Sequence, residues 1–440
     1  MLERINAIIW GPWTLIFLFG THVFLTFRLG IIQKYLGLAI KLSVSRDKEG
    51  EGDVSHFGSL MTALAATIGT GNIVGVSTAI AAGGPGAVLW MWLSGVFGMA
   101  TKYSEALLSV KFREKTADGT MMGGPMLVLE KGMNMKWLGI LFAVFTAVSA
   151  FGIGNMVQSN SVSSLMYETF QIPTWISGVL MTLLTGFVIL GGIKSIARAC
   201  EALVPFMAVT YMAGCILLLI LKADSLPETM TLIIQSAFTG QAAVGGFLGA
   251  GMKEAMRFGV ARGLFSNESG MGSAAIVAAA AQTKEPVRQA LVSSTGTFWD
   301  TVVMCAVMGV VVVNSGEWTQ GLNGAALTKE VFSEFPGIGP ALLTFGLLTF
   351  VISTILGWSY YGERAIEYLA GKRAIKPYRV LWVIAVFIGS ISSLPVVWAL
   401  ADITNALMAL PNLISLLVLS GLVAKETKEY FSRPENIRNA

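Results

Sequence analysis

Charge is what this sequence has least of. Only 13% of its 440 residues are Asp, Glu, Lys or Arg, while 54% are hydrophobic, and the mean hydropathy is +0.69, outside the range of ordinary soluble domains. There are three cysteines, Cys200, Cys215 and Cys305, far apart within apolar segments, and two histidines, His22 and His56. Neither a disulfide framework nor a zinc site finds support in that set. A membrane enzyme would need a nucleophile with its base, or a metal cluster, and the same scarcity argues against one. No filter-like run points to a channel. The net charge of +4 is small and does not suggest nucleic acid as a partner. The N-terminal MLERINAIIWGPWTLIFLFGTHVFLTF lacks a basic region before a short apolar core and a cleavage site, so it reads as a retained span and not a signal peptide.

What the chain has in abundance is apolar runs of about 20 residues, long enough to cross the hydrocarbon of a bilayer. They predict an all-α polytopic membrane protein with eleven transmembrane helices: 8–27, 56–82, 86–110, 136–168, 174–191, 196–221, 245–282, 287–314, 338–370, 377–394 and 395–422. Basic residues favour the cytoplasmic side. With the N-terminus outside, 23 Lys and Arg fall on cytoplasmic segments and 5 (Arg4, Lys222, Lys253, Arg257 and Lys329) on outer ones. The expected topology is N-terminus out and C-terminus in, in the cell membrane. The loop 315–335 and the polar tail after 424 read as solvated connectors with no further function.

Two apolar stretches are interrupted by glycine and small polar residues: AATIGTGNIVG at 65–75 and LFSNESGMGSAAIVAAAA at 264–281. Gly71 and Gly270 lie about 200 residues apart, and the helices that follow each keep nearly that spacing, the mark of an internal repeat with paired broken helices. The division is 1–55 for an extra N-terminal helix and its loop, 56–222 for a first five-helix repeat, 223–424 for a second, and 425–440 for a cytoplasmic tail. Five is odd, so the second repeat is inverted relative to the first. Such repeats point to a secondary transporter with its site at mid-membrane. The spacing GxGxxxG at Gly69 is not a dinucleotide fingerprint, since no strand-helix unit surrounds it.

Unwound chain in hydrocarbon persists only where protein or a polar cavity covers its backbone. Half-helix N-termini suit a carboxylate and half-helix C-termini suit a bare cation. An amino acid and a sodium ion are a ligand pair that fits these ends. Glycine in membrane helices also serves close packing, but two clusters at equivalent positions favour a site. Ser353 and Thr354, with Trp358 one turn further on, fall near the middle of the helix 338–370. They either complete an oxygen shell for a cation or bond back to their own helix. Asn155 and Gln158 sit in GIGNMVQSN, where interhelical hydrogen bonding is the favoured role for Asn155. Glu268, Asp300 and Asp402 are charges at depth, either functional or paired, with Arg262, Lys102 and Glu105 as available partners.

The run GGPGAVLWMWLSGVFG at 83–98, preceded by GTGNIVGV and followed by FSNESGMGSA and GWSYYGE, resembles the alanine or glycine:cation symporter family, also called sodium:alanine symporters. The resemblance covers nearly the whole chain, to residue 425. It implies the five-plus-five inverted-repeat, LeuT-like fold of the wider amino-acid transporter superfamily. It also implies sodium as coupling ion, with no organic cofactor, and import of a small neutral amino acid, alanine or glycine, by alternating access. By motif, the sodium ligands would be the carbonyls of Ala65, Ile68 and Phe350 and the hydroxyls of Ser353 and Thr354. The substrate carboxylate would meet the amides of Thr70, Gly71 and Asn72. Gln158, Phe265, Ser266, Met271, Thr354 and Trp358 would complete the pocket. Coupling to protons, or a sensor that binds without transport, shares the same residues.

Overall fold

The computed structural model describes residues 9–45, 50–238, 251–335, 337–392 and 395–433. Position 8 of the expected first helix, 245–250 of the seventh and 393–394 of the tenth, and Arg4, Arg46, Lys48 and Arg438 of the charge pattern, lie outside them. The described chain is almost wholly helical: α1 (Pro12–Arg28), α2 (Leu36–Ser43), α3 (His56–Thr67), α4 (Gly71–Gly83), α5 (Ala87–Lys111), α6 (Lys136–Phe170), α7 (Thr174–Ile189), α8 (Gly192–Leu221), α9 (Leu226–Phe238), α10 (Met252–Asn267), α11 (Ser273–Ala278), α12 (Pro286–Ser315), α13 (Gly324–Ser333), α14 (Gly339–Ala370), α15 (Ile375–Ile391), α16 (Pro395–Val418) and α17 (Ser420–Ser432). Among the described residues one hairpin pairs Glu114 with Met122 and Lys115 with Met121.

Among the described residues six helices are long and apolar enough to span a membrane, and eight if each bent pair counts as one span. One bent pair is α1 with Ile32–Ser43, at 66°; the other is α3 with α4, at 55°. The elements start and stop for local reasons. Ser55 caps α3 by accepting from the Gly58 N–H at 2.9 Å, and Pro12 and Pro286 open α1 and α12 where a missing N–H is harmless.

Helix α14 is the most enclosed span, with 72% of its apolar window buried against 33% for α8 and for the span ending at Ile391. It is therefore the axis of the bundle. Gly357 lets it approach α3 closely: a Cβ there would lie 2.7 Å from the Ala66 nitrogen. Gly154 does the same against α6, where a Cβ would fall 2.2 Å from Trp358 Cβ. At the periphery Leu183, Phe187 and Val209 stay exposed, as an apolar face toward lipid would be.

The short helices α2, α9 and α13, the helical stretch 125–132 and most of α17 were not among the expected elements. α17 corrects the reading of the tail after 424 as a solvated connector: its Thr427 and Tyr430 are buried, and the Thr427 hydroxyl bonds that of Tyr103 at 2.9 Å. α13 corrects the reading of 315–335 as a plain solvated connector. Its Leu327, Val331 and Phe332 are buried, and the Thr328 hydroxyl bonds Ser77 at 2.7 Å. The segment lies over α4 because its apolar residues recur at helical spacing.

Candidate functional site

The first break occupies Ile68, Gly69 and Thr70. Ile68 leaves the helix with extended backbone (ψ 98°) while its N–H still closes on Leu64. The carbonyls at this end of α3 lose their next-turn donors. Two of them find α14: Ser353 Oγ lies 3.3 Å from the Ala65 oxygen and Thr354 Oγ1 3.3 Å from the Ile68 oxygen. Both hydroxyls also bond back to the Phe350 oxygen, at 2.8 and 2.9 Å. The two hydroxyls thus bring all five expected cation ligands into contact, each bonding within its own helix and approaching a carbonyl of α3.

The donor set fits a monovalent hard cation. It contains carbonyl and hydroxyl oxygens and no carboxylate, whereas divalent sites draw on carboxylates. No cluster of three His, Cys, Asp or Glu side chains able to hold a metal occurs among the described residues. A Cβ on Gly69 would lie 2.8 Å from Thr354 Oγ1, so the unwound turn passes the hydroxyl only because residue 69 has no side chain.

On the other side of the break a cavity of about 400 Å³ is lined by Thr70, Gly71, Val74 and Thr78, by Asn160, Ser161, Ser164 and Glu168 of α6, and by Arg262, Phe265, Ala325 and Leu347. It reaches the surface at the exposed Ser164 and Glu168. Of the nine expected substrate residues, Thr70, Gly71 and Phe265 line this cavity. Ser266, Met271, Gln158, Thr354 and Trp358 are buried beside the breaks without lining it.

Asn72 faces away from the cavity. Its Oδ1 accepts from the Gly69 N–H at 2.9 Å, its Nδ2 donates to Asp300 Oδ1 at 2.7 Å, and its own N–H closes on the Gly69 oxygen. Its structural part is to pin the unwound turn to α12. Asn155 donates to the Trp382 oxygen at 2.8 Å, the interhelical bond favoured from sequence. Gln158 donates to the Ile153 oxygen, and its buried Oε1 has no protein partner, 3.9 Å from where a Gly69 Cβ would stand.

Arg262, Asn160 and Glu168 were missed as lining residues. A signal existed for two of them: Asn160, Ser164 and Glu168 recur at i, i+4 and i+8, a polar stripe along one face of the helix. Arg262 sits over the Phe265 ring at 5.8 Å and is close enough to Asp402 for their charges to interact.

The second break spans 268–272. Glu268 ends α10 in the left-handed region (φ 54°), and Gly270 and Gly272 follow at φ 93° and 80°. The Trp358 indole N–H donates to Glu268 Oε1 at 3.1 Å and the Ser273 hydroxyl to Oε2 at 2.5 Å. Asp300 accepts from Asn72, from Ser266 at 3.0 Å and from Thr301 at 2.6 Å. One buried carboxylate therefore joins residues of both broken helices.

The opposite end of the molecule is closed by backbone ties. The Arg113 guanidinium donates to four carbonyls, of Ala279, Ala281, Glu51 and Thr283, at 2.7 to 2.9 Å. Val54 bridges to Ala281, the Asp53 N–H donates to the Ala280 oxygen, and the Asp53 carboxylate accepts from the Met121 N–H.

The sequence matches the profile of the sodium:alanine symporter family over residues 1–439. The chain belongs to that family. Similar proteins include an uncharacterized transporter of Haemophilus influenzae, 50% identical over 438 residues, covering 98% of this chain and 96% of that one. The sodium/alanine symporter AgcS of Methanococcus maripaludis is 48% identical over 441 residues, with 98% and 96% coverage. Among solved structures, the manganese transporter of Eremococcus coleocola aligns at TM-score 0.50 with 14% identity, over 87% of this chain and 77% of that one. At that identity the likeness speaks for the fold alone. This member of the sodium:alanine symporter family is a multi-pass membrane protein of a transport family, with sodium as the family's coupling ion.

Proposed function

We propose that the protein is a sodium-coupled symporter that imports alanine or glycine across the plasma membrane by alternating access. The observation that carries this reading is the meeting of the Ala65, Ile68 and Phe350 carbonyls with the Ser353 and Thr354 hydroxyls at the unwound turn. That turn also presents Thr70 and Gly71 to the cavity. Sodium in the oxygen cluster would draw α3 and α14 together and fix the turn, and the amides of Thr70 and Gly71 would take the substrate carboxylate, the Asn72 N–H being bonded to the Gly69 oxygen. Each ligand then strengthens the other, because both need the same ordered turn. Phe265 lines the cavity at the unwound turn, and the family likeness favours alanine and glycine as the substrates.

In this reading the chain crosses the membrane eleven times, as an N-terminal helix and two inverted five-helix repeats at 56–222 and 223–424, with the N-terminus outside. The cavity then faces outward and the Arg113 ties close the cytoplasmic side, an outward-facing arrangement. Opening inward requires those ties to break while Arg262 and α13 close over the cavity.

The test is uptake of radiolabelled alanine into liposomes holding the purified protein. Concentrative uptake under an inward sodium gradient, absent with equal sodium or a proton gradient alone, is the expected outcome. Uptake driven equally by protons would remove the sodium assignment. Sodium-dependent binding without flux would identify a sensor.

A further inference from the structure

Helix α3 has a charge-seeking group at each end. It is 12 residues long, about 18 Å, and at its C-terminus the Ala65 and Ile68 carbonyls face the α14 hydroxyls. At its N-terminus sits a carboxylate from another helix. The Ser55 cap accepts from the Gly58 N–H at 2.9 Å, and its hydroxyl donates to Glu201 Oε1 of α8 at 3.3 Å. The same oxygen lies over the first turn of α3: a Cβ on Gly58 would stand 2.5 Å from it. The carboxylate fits there only because residue 58 has no side chain.

Glu201 is half-buried and has no Lys or Arg ion-pair partner among the described residues. Arg198, three residues earlier on α8, donates to the Lys194 oxygen instead. What faces the carboxylate is the first turn of α3, where unsatisfied N–H groups and the helix dipole favour an anion. Beyond this contact the two helices part. An apolar groove of about 380 Å³ lies between Leu60 and Leu64 of α3 and Val204 and Ala208 of α8. Cys200, the neighbour of Glu201, is fully buried.

We infer that Glu201 is the latch of the first broken helix. Its carboxylate seats the N-terminus of α3 on α8, and opening toward the cytoplasm, which moves α3 off α8, has to give up that contact. Glu201 acts at the positive end of the α3 dipole and a cation at the negative end, so both favour the same seated position of the helix. Glu201 touches neither substrate nor cation and is in this sense a positioning residue. The direction of opening rests on the symport reading above; the seating of α3 by Glu201 does not.

The experiment compares wild type, Glu201→Gln and Gly58→Ala as full-length protein in detergent, without sodium or alanine. A thiol reagent is added, and modification of the native Cys200 is followed by mass spectrometry of its peptide. Cys215, further along the same helix and equally buried, is the internal reference, and melting is recorded for each variant. Glu201→Gln keeps the shape of the side chain and removes its charge. Gly58→Ala is a better helix former, yet its methyl displaces the carboxylate. Both should label Cys200 roughly 3- to 30-fold faster than wild type, with Cys215 and the melting temperature nearly unchanged. In liposomes, alanine uptake by both should need more sodium by a similar factor, because the arrangement that binds from outside is less populated.

The proposal is overturned if both variants label Cys200 at the wild-type rate. It is equally overturned if Cys200 and Cys215 accelerate together, since that is loosening of the whole helix and not release of one contact. If wild type shows no alanine uptake at all, the symport reading fails, and the labelling still decides whether Glu201 holds α3 on α8.

Discussion

Removing one hydroxyl from α14 separates the cation reading from the bland one. In Thr354→Ala the structure loses two contacts: the bond to the Phe350 oxygen at 2.9 Å within its own helix, and the 3.3 Å approach to the Ile68 oxygen. The first is a back-bond to an i−4 carbonyl that still receives its helical N–H, and such bonds add little stability. If that were the whole role, melting without sodium and all transport parameters would stay near wild type. If the hydroxyl is a cation ligand, the loss resembles that of a hydrogen bond to a charged group, about 1.5–3 kcal/mol, or roughly 10- to 100-fold in sodium affinity. Reciprocity then demands that the same factor appear in alanine affinity at limiting sodium, and that it vanish when sodium is saturating or absent. The assay is equilibrium binding of alanine across a sodium titration in detergent, with Thr354→Ser as the control that restores the oxygen. Unchanged sodium dependence in Thr354→Ala, with melting also unchanged, would refute the placement of the cation at this turn.

Gly69→Ala drives a methyl to 2.8 Å from Thr354 Oγ1, and sodium-dependent binding should be lost with only a modest change in melting, seen by the same titration. Gly154→Ala puts a methyl 2.2 Å from Trp358 Cβ; overpacking of this kind costs about 1–3 kcal/mol, and both melting temperature and uptake should fall. Arg113→Ala frees four carbonyls, so an introduced Ala281→Cys should react faster with a thiol reagent applied from the cytoplasmic side; the native cysteines are buried and give low background. On the loop 112–123, the Lys372 ammonium, with the Thr116 and Thr120 hydroxyls, holds the Asp118 carboxyl well below the usual carboxylate range. A depressed folded value means that its contribution is complete above the ordinary carboxylate pKa and is lost only as pH falls through the lowered one. Melting should therefore not change through Asp118 between pH 7 and about 5, and since Asp118 is 53% exposed, Asp118→Asn should cost less than about 1 kcal/mol.

The limits of sequence reading here follow from the kind of signal each feature leaves. A span announces itself over about 20 residues, and a break announces itself because Gly69, Thr70, Gly71 and Asn72 interrupt such a run; both are properties of contiguous chain. The pair Ser353 and Thr354 was legible because hydroxyls at the middle of an apolar helix are conspicuous. Asn72 was legible as a polar residue but not as a tie, because its partner Asp300 is 228 positions away and nothing in either segment points to the other. The same holds for Arg113, whose donors reach carbonyls on two distant loops, and backbone acceptors have no signature in sequence. Helix α13 was invisible because ten residues with a buried face look like a loop until something is known to lie beneath them. What joins these hidden features is that each connects the two broken helices to each other or to the elements that cover them. Asp300 accepts from Asn72 beside one break and from Ser266 beside the other, so a change in either unwound segment is felt at the same carboxylate. Coupled transport needs such a junction, since two sites that moved independently would bind sodium and substrate without linking them.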